Sequence, residues 1–363
     1  MTKFTINRDA LKTTLIKAES LAKRSQTLAI TECVHLYCDG DTVWIETTDL
    51  ETGYIAELPA EVESQGKIAV NAKKLLEIIR VFPSADVLLN EVETRWLEIS
   101  CENLNYHLVC ADPDDFPTLP EMKDDTKFEI NSDHFSTMIK RSCVIKGASD
   151  DQRAHINGVL FEVSDSELRM VATDGSRLNL CKYPVDAPHE ITGTIIPKRS
   201  LESISKISEG SITLSTDGRH FQMTADKETV ITRLLEGDFP KFQDIIGPQA
   251  NNIKFEKSAL QAALRRQSIL LNEEYKGLLL TFSPNSLVMT VVNPNLGESK
   301  EEISVHYEGE PFEAAFNPRY FIDTLANLHG DNVNISITDN KRPCVVTDPD
   351  SDDFISVVMP MRT

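Results

Sequence analysis

The chain has 363 residues, of which 40% are hydrophobic, and it carries seven cysteines and a formal net charge of −20. Its length allows several domains of about 100–150 residues, and its composition is ordinary for a globular protein. No apolar run approaches the roughly 20 residues of a membrane-spanning helix, and the N-terminus lacks the pattern of a signal peptide. The odd number of cysteines without framework spacing favours reduced thiols, so a cytoplasmic protein without membrane partners is predicted.

The first predicted elements are a short strand and a helix, and the same signal returns twice along the chain. Phe4-Thr5-Ile6 precedes apolar residues at helical spacing, and so do Phe128-Glu129-Ile130 and Ile253-Lys254-Phe255. The phenylalanines of these segments lie 124 and 127 residues apart, which indicates one domain copied three times. The expected N-caps of the three helices are Asn7, Ser132 and Ser258.

Within each copy, strands and a second helix follow in the same order. Alternating strands are predicted over Thr42–Asp49, Leu168–Asp174 and Leu287–Asn293. The predicted helices span residues 8–24, 71–82, 132–147, 198–208, 257–271 and 318–329. This order predicts an α+β protein in which each domain has two helices packed on antiparallel sheets. The three domains are expected at residues 1–125, 126–248 and 249–363.

Sequence motifs of catalysis and of metal binding are missing. There is no phosphate-binding glycine loop, no His-Glu-x-x-His and no Cys-x-x-Cys. The one near-cluster is Cys33, His35 and Cys38, whose side chains do not all share one face of the predicted strand. Acidic clusters near Asp114 and Asp350 lie among turn-forming residues and favour solvated turns. Neither a metal site nor a cofactor is predicted.

Charge is distributed unevenly between the predicted helices and the rest of the chain. The six helix windows contain 18 of the 37 Lys and Arg residues but 6 of the 57 Asp and Glu residues. Helix propensity does not account for this difference, because glutamate is as good a helix former as lysine or arginine. If the helices share one surface, that surface is positive in an otherwise acidic protein. Such a surface suits contact with phosphates without sequence readout.

Several segments resemble the bacterial DNA polymerase III β subunit family, the sliding clamps, and the resemblance covers the whole chain. The most specific are Val171–Leu178, Gly237–Pro240 and Val357–Arg362, together with Arg153 and Asn157–Glu162. The resemblance implies a non-enzymatic processivity factor: two chains joined head to tail as a homodimeric ring around double-stranded DNA. It also implies that partner proteins dock by a short peptide, namely the polymerase III catalytic subunit, the clamp loader, repair polymerases, mismatch-repair proteins and ligase.

The resemblance assigns residues to three surfaces. DNA contacts are expected at Arg24, Lys73, Lys74, Arg153, Lys198, Arg199, Arg265 and Arg266. The dimer contact is expected to join Tyr106 and Leu108 of one chain to Ile269 and Leu270 of the other. An apolar peptide-binding cleft, with Arg177 and Arg362 holding polar groups at its rim, is expected at Thr173, Gly175, Arg177, Leu178, Pro240, Ile245, Asn317, Tyr320, Pro343, Val357, Met359, Pro360, Met361 and Arg362.

The sequence departs from the family pattern at three sites. Asp244 stands where a basic residue is usual, Ala154-His155 replaces an aromatic pair that helps to hold DNA, and Ala29 replaces a proline. A lost or reversed contact at the cleft rim and an altered peptide preference are therefore expected.

Simpler readings of the same residues remain open. Basic side chains are typical of any solvated helix face, Thr173–Gly175 is typical of a hairpin turn, and the predicted dimer residues suit ordinary strand packing. Two other classes of function also remain: a hydrolase or transferase with a site among the acidic loops, and a repeat scaffold that binds only proteins.

Overall fold

The computed structural model describes residues 1–22, 28–83, 85–93, 95–120, 122, 126–147, 153–187, 190–207, 210–247 and 251–361. Its α-helices are α1 Arg8–Leu21, α2 Ala72–Val81, α3 Ser132–Cys143, α4 Ala154–Asn157, α5 Lys198–Ile204, α6 Lys257–Gln267 and α7 Pro318–Leu325. No helix in the described ranges is long and apolar enough to cross a membrane.

The strands are short and numerous. From the N-terminus they are β1 Lys3–Asn7, β2 Cys33–Asp39, β3 Thr42–Thr48, β4 Thr52–Ser64, β5 Gly66–Asn71, β6 Asp86–Glu93, β7 Trp96–Cys101, β8 Leu104–Ala111, β9 Phe128–Asn131, β10 Gly158–Ser164, β11 Glu167–Thr173 and β12 Arg177–Pro184. The remaining strands are β13 Ile191–Pro197, β14 Ser211–Thr216, β15 His220–Ala225, β16 Glu228–Arg233, β17 Asn251–Glu256, β18 Leu278–Ser283, β19 Ser286–Asn293, β20 Gly297–Ser304, β21 Phe312–Phe316, β22 Asn332–Ile337, β23 Cys344–Asp348 and β24 Ser351–Val358.

The threefold repetition predicted from the sequence is confirmed at the level of these elements. A strand runs directly into a helix at the start of each copy, in the pairs β1–α1, β9–α3 and β17–α6. A second strand leads into a second helix in the pairs β5–α2, β13–α5 and β21–α7. All six predicted helices are present, and each ends one to four residues before its predicted end. The four-residue helix α4 was not predicted, because it is too short to show a helical period.

The helix N-caps follow the chemistry of asparagine more than that of serine. Asn7 caps α1 as predicted, because its side-chain oxygen accepts hydrogen bonds from the backbone N–H groups of the first turn. The prediction for Ser132 is wrong, because Asn131 accepts the N–H of Asp133 at 2.8 Å and Ser132 is already helical. The prediction for Ser258 is also wrong, because α6 begins one residue earlier, at Lys257.

The chain divides into two compact units. The first unit comprises Met1–Phe135, Asp186–Pro188 and Arg199–Leu234. Its antiparallel sheet has the strand order β1-β6-β7-β8-β5-β2-β3-β4-β16-β15-β14-β9. Strands β4 and β16 pair from Thr52↔Thr232 to Ala56↔Glu228, so this sheet runs through the predicted boundary between the first two repeats.

The second unit comprises Ser136–Val185, His189–Lys198 and Leu235–Thr363. It contains an eight-stranded sheet in the order β13-β10-β11-β12-β24-β23-β22-β17 and a four-stranded sheet in the order β20-β19-β18-β21. Strand β12 pairs with β24 from Arg177↔Val358 to Cys181↔Phe354, which joins the second repeat to the third.

Apolar burial explains why these elements pack as they do. In the first unit α1 and α2 pack against each other, and α2 buries Leu75, Leu76 and Ile79 while its lysines face outward. In the second unit α6 and α7 form a corresponding pair, and α6 buries Leu260 and Leu264. Each such side chain contributes about 1.5–3 kcal/mol when it leaves water. The apolar stripes that predicted the helices are therefore the faces that hold them on the sheets.

Candidate functional site

An apolar cavity of about 110 Å³ in the second unit brings together residues from four separate segments of the chain. Its lining consists of His155, Thr173, Gly175, Arg177, Leu178, Pro240, Ile245, Val357 and Met359. Eight of these nine residues belong to the predicted peptide-binding cleft. A simple hairpin turn would not bring together residues so far apart in sequence, because these residues become neighbours only when the strands pair in the sheet.

The floor of this cavity is continuous with the hydrophobic core. Leu178 and Val357 form a buried cluster with Val171 and Phe242, and Ile245 packs against that cluster while remaining partly accessible. Because the strands beneath are held by β12–β24 pairing, the floor is a fixed surface. An apolar side chain that moves from water into contact with this floor would gain about 1.5–3 kcal/mol of binding free energy.

One wall of the cavity is the turn between β11 and β12. The Thr173 hydroxyl donates to the carbonyl of Arg177 at 2.8 Å and accepts the N–H of Gly175 at 3.1 Å. The Asp174 carboxylate accepts the N–H groups of Ser176 and Arg177, both at 3.0 Å. Gly175 has φ of +86°, a conformation that L side chains rarely adopt, so glycine is suited to this position.

Arg177 of the lining makes several contacts within the chain. Its Nη1 donates to Asp323 at 2.7 Å, its Nε donates to Asp174 at 3.1 Å, and its guanidinium lies 4.5 Å from the ring centre of Tyr320. Nη2 also reaches the carbonyl of Val144 at 3.4 Å. Every nitrogen of the guanidinium therefore has a partner within the chain, and the role of Arg177 toward polar groups of a peptide stays a prediction.

The remaining predicted cleft residues lie outside the lining of this cavity. Asn317 caps α7 by accepting the N–H of Arg319 at 3.1 Å, and Tyr320 supports Arg177. The N–H of Met361 donates to the carbonyl of Ala315 at 2.7 Å, which fixes the end of the chain beside β21. Pro343 and Pro360 are half-buried. Arg362 lies outside the described residues.

Two of the three departures from the family pattern fall at or next to the cavity. Asp244 is exposed and directly precedes Ile245 of the lining. His155 lies on α4, lines the cavity, and meets the ring of Phe239 edge-on with centroids 6.3 Å apart. Sequence reasoning assigned position 155 to DNA contact alone, and its neighbouring role in the cavity was missed because α4 was not predicted. Ala29 opens a short 3-10 turn, Ala29–Glu32.

Five of the predicted DNA contacts have exposed side chains. Lys73 and Lys74 lie on the outer face of α2, although Lys74 is 2.7 Å from Glu77 in an exposed pair of little energetic weight. Arg199 is exposed on α5, with Asp49 at 3.8 Å. Arg153 and Arg265 are also exposed.

Three predicted DNA contacts differ from this group. Lys198 is buried, and its Nζ donates to the backbone carbonyls of Ile156 and Thr173, so it lacks the exposure of the other five. Arg266 is exposed but paired with Glu301, and this pairing raises the pKa of the guanidinium. Arg24 lies outside the described residues.

The predicted dimer residues of the first unit lie on an open strand edge. Among the described residues, β8 pairs with β7 from Leu104 to Val109, and its pairing with β5 is confined to Cys110 and Ala111. Tyr106 is 41% exposed and Val109 is 64% exposed. Apolar side chains on an unpaired edge are a template for another strand.

The predicted dimer residues of the second unit lie beside another open edge. Ile269 is 75% exposed and Leu270 is half-buried in a short turn after α6. In the described part of this unit, β20 is paired with β19 alone, so its second edge is unpaired. The two units therefore each present an open edge with exposed apolar side chains.

The chain matches the models of three domains of the DNA polymerase III beta subunit. Residues 2–120 match its N-terminal domain, residues 129–241 its central domain and residues 247–362 its C-terminal domain. The beta sliding clamp of Pseudomonas aeruginosa is 30% identical over 369 residues, with 99% of each chain covered.

Solved structures of the same family are also similar to this chain over its full length. The DNA polymerase III subunit beta from Pseudomonas aeruginosa has a TM-score of 0.94 and 29% identity, covering 99% of this chain and 100% of that one. A sliding clamp from the same organism, bound to griselimycin, has a TM-score of 0.92 and 28% identity, with both chains fully covered. The chain therefore has the three-domain clamp fold and belongs to the DNA polymerase III beta subunit family, the beta sliding clamps, which are non-catalytic processivity factors of DNA polymerase III.

Proposed function

We propose that two copies of this chain join head to tail into a ring that encircles double-stranded DNA without sequence specificity. Each copy would contribute three domains, at residues 1–125, 126–248 and 249–363, and the ring would act in the cytoplasm. The replicative polymerase would be tethered at the apolar cavity, which is the observation that carries the proposal. The cavity is supported as a peptide site because residues assigned to it on sequence grounds converge on one opening in the core.

Electrostatics supports the DNA-binding part of the proposal. Exposed basic side chains on helices, such as Lys73, Lys74 and Arg265, suit contact with phosphates, while the net charge of −20 would repel DNA from other faces. Flexible, solvated side chains favour no single phosphate register, so the protein would be free to slide. Topological enclosure would then provide retention, and high affinity would not be needed.

The same cleft is proposed to serve several partners in turn. The clamp loader, repair polymerases, mismatch-repair proteins and ligase would present apolar peptides to it, in competition with the polymerase III catalytic subunit. Met359 supports this versatility, because a methionine side chain adapts its shape to different apolar groups.

Retention on DNA tests encirclement. After loading onto nicked circular DNA, the protein is expected to stay bound through gel filtration and to be released when the circle is cut once. The reason is that a ring leaves DNA by sliding off an end. Equal retention on circular and linear DNA would contradict encirclement.

The same assay tests the basic surface. Lys73→Glu combined with Lys74→Glu is expected to lower DNA association at low salt and to flatten its salt dependence, because fewer counterions are released. Lys254→Glu combined with Lys341→Glu is the matched control, since both lysines are exposed and lie outside the helices. A protein-binding scaffold would respond to neither pair of changes.

Dimer formation is tested by Ile269→Asp. Because Ile269 is 75% exposed in the single chain, the change is expected to leave folding intact, while an unpaired charge would oppose an apolar contact between chains. Light scattering should give twice the chain mass of 40.6 kDa for the unaltered protein and the chain mass for the variant. Ile16→Asp, at another exposed isoleucine, should remain dimeric. A monomeric unaltered protein at micromolar concentration would refute the ring.

A further inference from the structure

Lys198 connects two segments that form walls of the cavity. Its Nζ donates to the carbonyl of Ile156 on α4 at 2.6 Å and to the carbonyl of Thr173 at the end of β11 at 3.4 Å. Thr173 itself lines the cavity, and Ile156 is adjacent to His155, which also lines it. The ammonium group thus lies behind the cavity wall and holds two neighbouring backbone segments.

The position of this lysine is costly for stability alone. The residue is only 8% exposed, and burial disfavours an ammonium group unless it is fully hydrogen-bonded. An apolar side chain of similar length would avoid that cost. We therefore attribute the buried charge to the arrangement of the two carbonyls that it holds, and not to a gain in folding stability.

Both segments held by Lys198 have further roles in the site. The hydroxyl of Thr173 organises the turn to Arg177, and α4 begins directly after Arg153, an exposed residue proposed to contact DNA. Four residues of helix have little stability on their own. The C-terminal carbonyls of such a helix need partners, and Lys198 provides one for Ile156.

We propose that Lys198 is a positioning residue for the peptide-binding cleft, which keeps His155 and Thr173 at the spacing that a partner's apolar side chain requires. This inference rests on the proposed function of the cavity. Lys198 would touch neither the peptide nor DNA, and its effect on peptide affinity would pass through the two carbonyls. The resemblance assigned Lys198 to contact with DNA phosphates, whereas in this proposal Lys198 would influence the binding of the peptide.

The surroundings of Lys198 make this role sensitive to pH. Burial lowers the pKa of the ammonium to about 8, while Cys143 and Asp174 oppose this shift and Arg177 adds to it. Above that pH the neutral amine still donates, but its hydrogen bonds are weaker than those of the ammonium. The folded-state pKa lies below the unfolded value of 10.5, so stability contributed by this group rises between about pH 8 and 10.5. Peptide affinity and folding stability should therefore change in opposite directions.

The test is Lys198→Met in the full chain, with fluorescence anisotropy of a labelled peptide copied from the clamp-binding segment of a polymerase III catalytic subunit. The variant is expected to bind about tenfold more weakly at pH 7, with an unchanged or higher melting temperature. The unaltered protein should lose affinity between pH 7 and pH 9, whereas the variant should not. Lys206→Met, at an exposed lysine near the end of α5, is the matched control and should bind normally.

Each outcome decides the inference. Normal binding by Lys198→Met, or an equal pH dependence in both proteins, would overturn it. If the variant folds poorly, the pH response of the unaltered protein still decides the inference. Cys143→Ala removes the nearby thiol and should retain that response, which would assign the response to Lys198. Failure of the unaltered protein to bind the peptide at any pH would instead overturn the proposed function of the cavity, and this inference with it.

Discussion

Alanine at both Ile245 and Met359 is expected to weaken peptide binding at least 100-fold while the chain still folds and dimerises. Both side chains line the cavity, and Met359 is 38% exposed before any partner binds. Central apolar contacts of this kind each contribute about 2 kcal/mol or more to binding. Losing two of them corresponds to about 4 kcal/mol, or nearly a thousandfold in affinity, and a partial rearrangement of the peptide would still leave at least a hundredfold loss. Folding should suffer less, because neither side chain is fully buried.

Anisotropy of the labelled peptide and the melting temperature should be measured on the same samples. Ile16→Ala is a suitable control, because Ile16 is an isoleucine of similar exposure, 42%, on α1. It should leave peptide affinity unchanged. Retained affinity in the double variant would mean that partners dock elsewhere, and a parallel loss of dimer would mean that the change acts through folding.

Arg177→Ala is expected to destabilise the second unit by about 2–3 kcal/mol and to abolish peptide binding as well. The change would leave the carboxylates of Asp174 and Asp323 without their shared partner and remove the group that stacks on Tyr320. This loss of folding stability is smaller than that expected for a fully buried ion pair, because the side chain of Asp323 is 38% exposed and water would solvate it. Since Asp174 also holds the β11–β12 turn, the cavity wall should become disordered.

Urea unfolding followed by intrinsic fluorescence would measure the loss of stability. Arg319→Ala is the matched control, because the arginine and its partner Glu273 are 61% and 79% exposed, and a change below about 0.5 kcal/mol is expected. Arg177→Lys should not restore stability, since a lysine cannot reach several acceptors in one plane. A stable Arg177→Ala variant would show that the arginine network is dispensable for the fold.

The repeated architecture was accessible from sequence because its signals are local. A short apolar strand followed by residues at helical spacing predicts a strand–helix unit wherever it occurs, and six such units are present in the described part of the chain. The helix ends were less accurate because tertiary contacts decide them. The apolar pattern of α6 continues through Ile269 and Leu270, yet the helix ends at Gln267 and those residues occupy a 3-10 turn.

Long-range pairing was not predictable in the same way. The paired residues of β4 and β16 lie 172 to 180 residues apart in the sequence, and no local pattern indicates that they are neighbours. Eight of the residues that the resemblance to sliding clamps assigned to the cleft line one cavity, but the resemblance did not distinguish exposed from buried charges. Lys198 and Arg177 were expected to meet ligands, whereas the structure gives their charged groups to carbonyls, carboxylates and an aromatic ring of the same chain.

All seven cysteines are buried and unpaired by disulfides, which has a practical consequence for experiments. Burial raises the pKa of Cys33 to about 11 and of Cys38 to about 12, so few reactive thiolates exist at neutral pH. A single new cysteine at a solvated position, such as Lys254→Cys, should therefore react with a maleimide dye well before the native thiols do. Fluorophores could be attached at chosen sites to follow ring opening without first removing any natural cysteine.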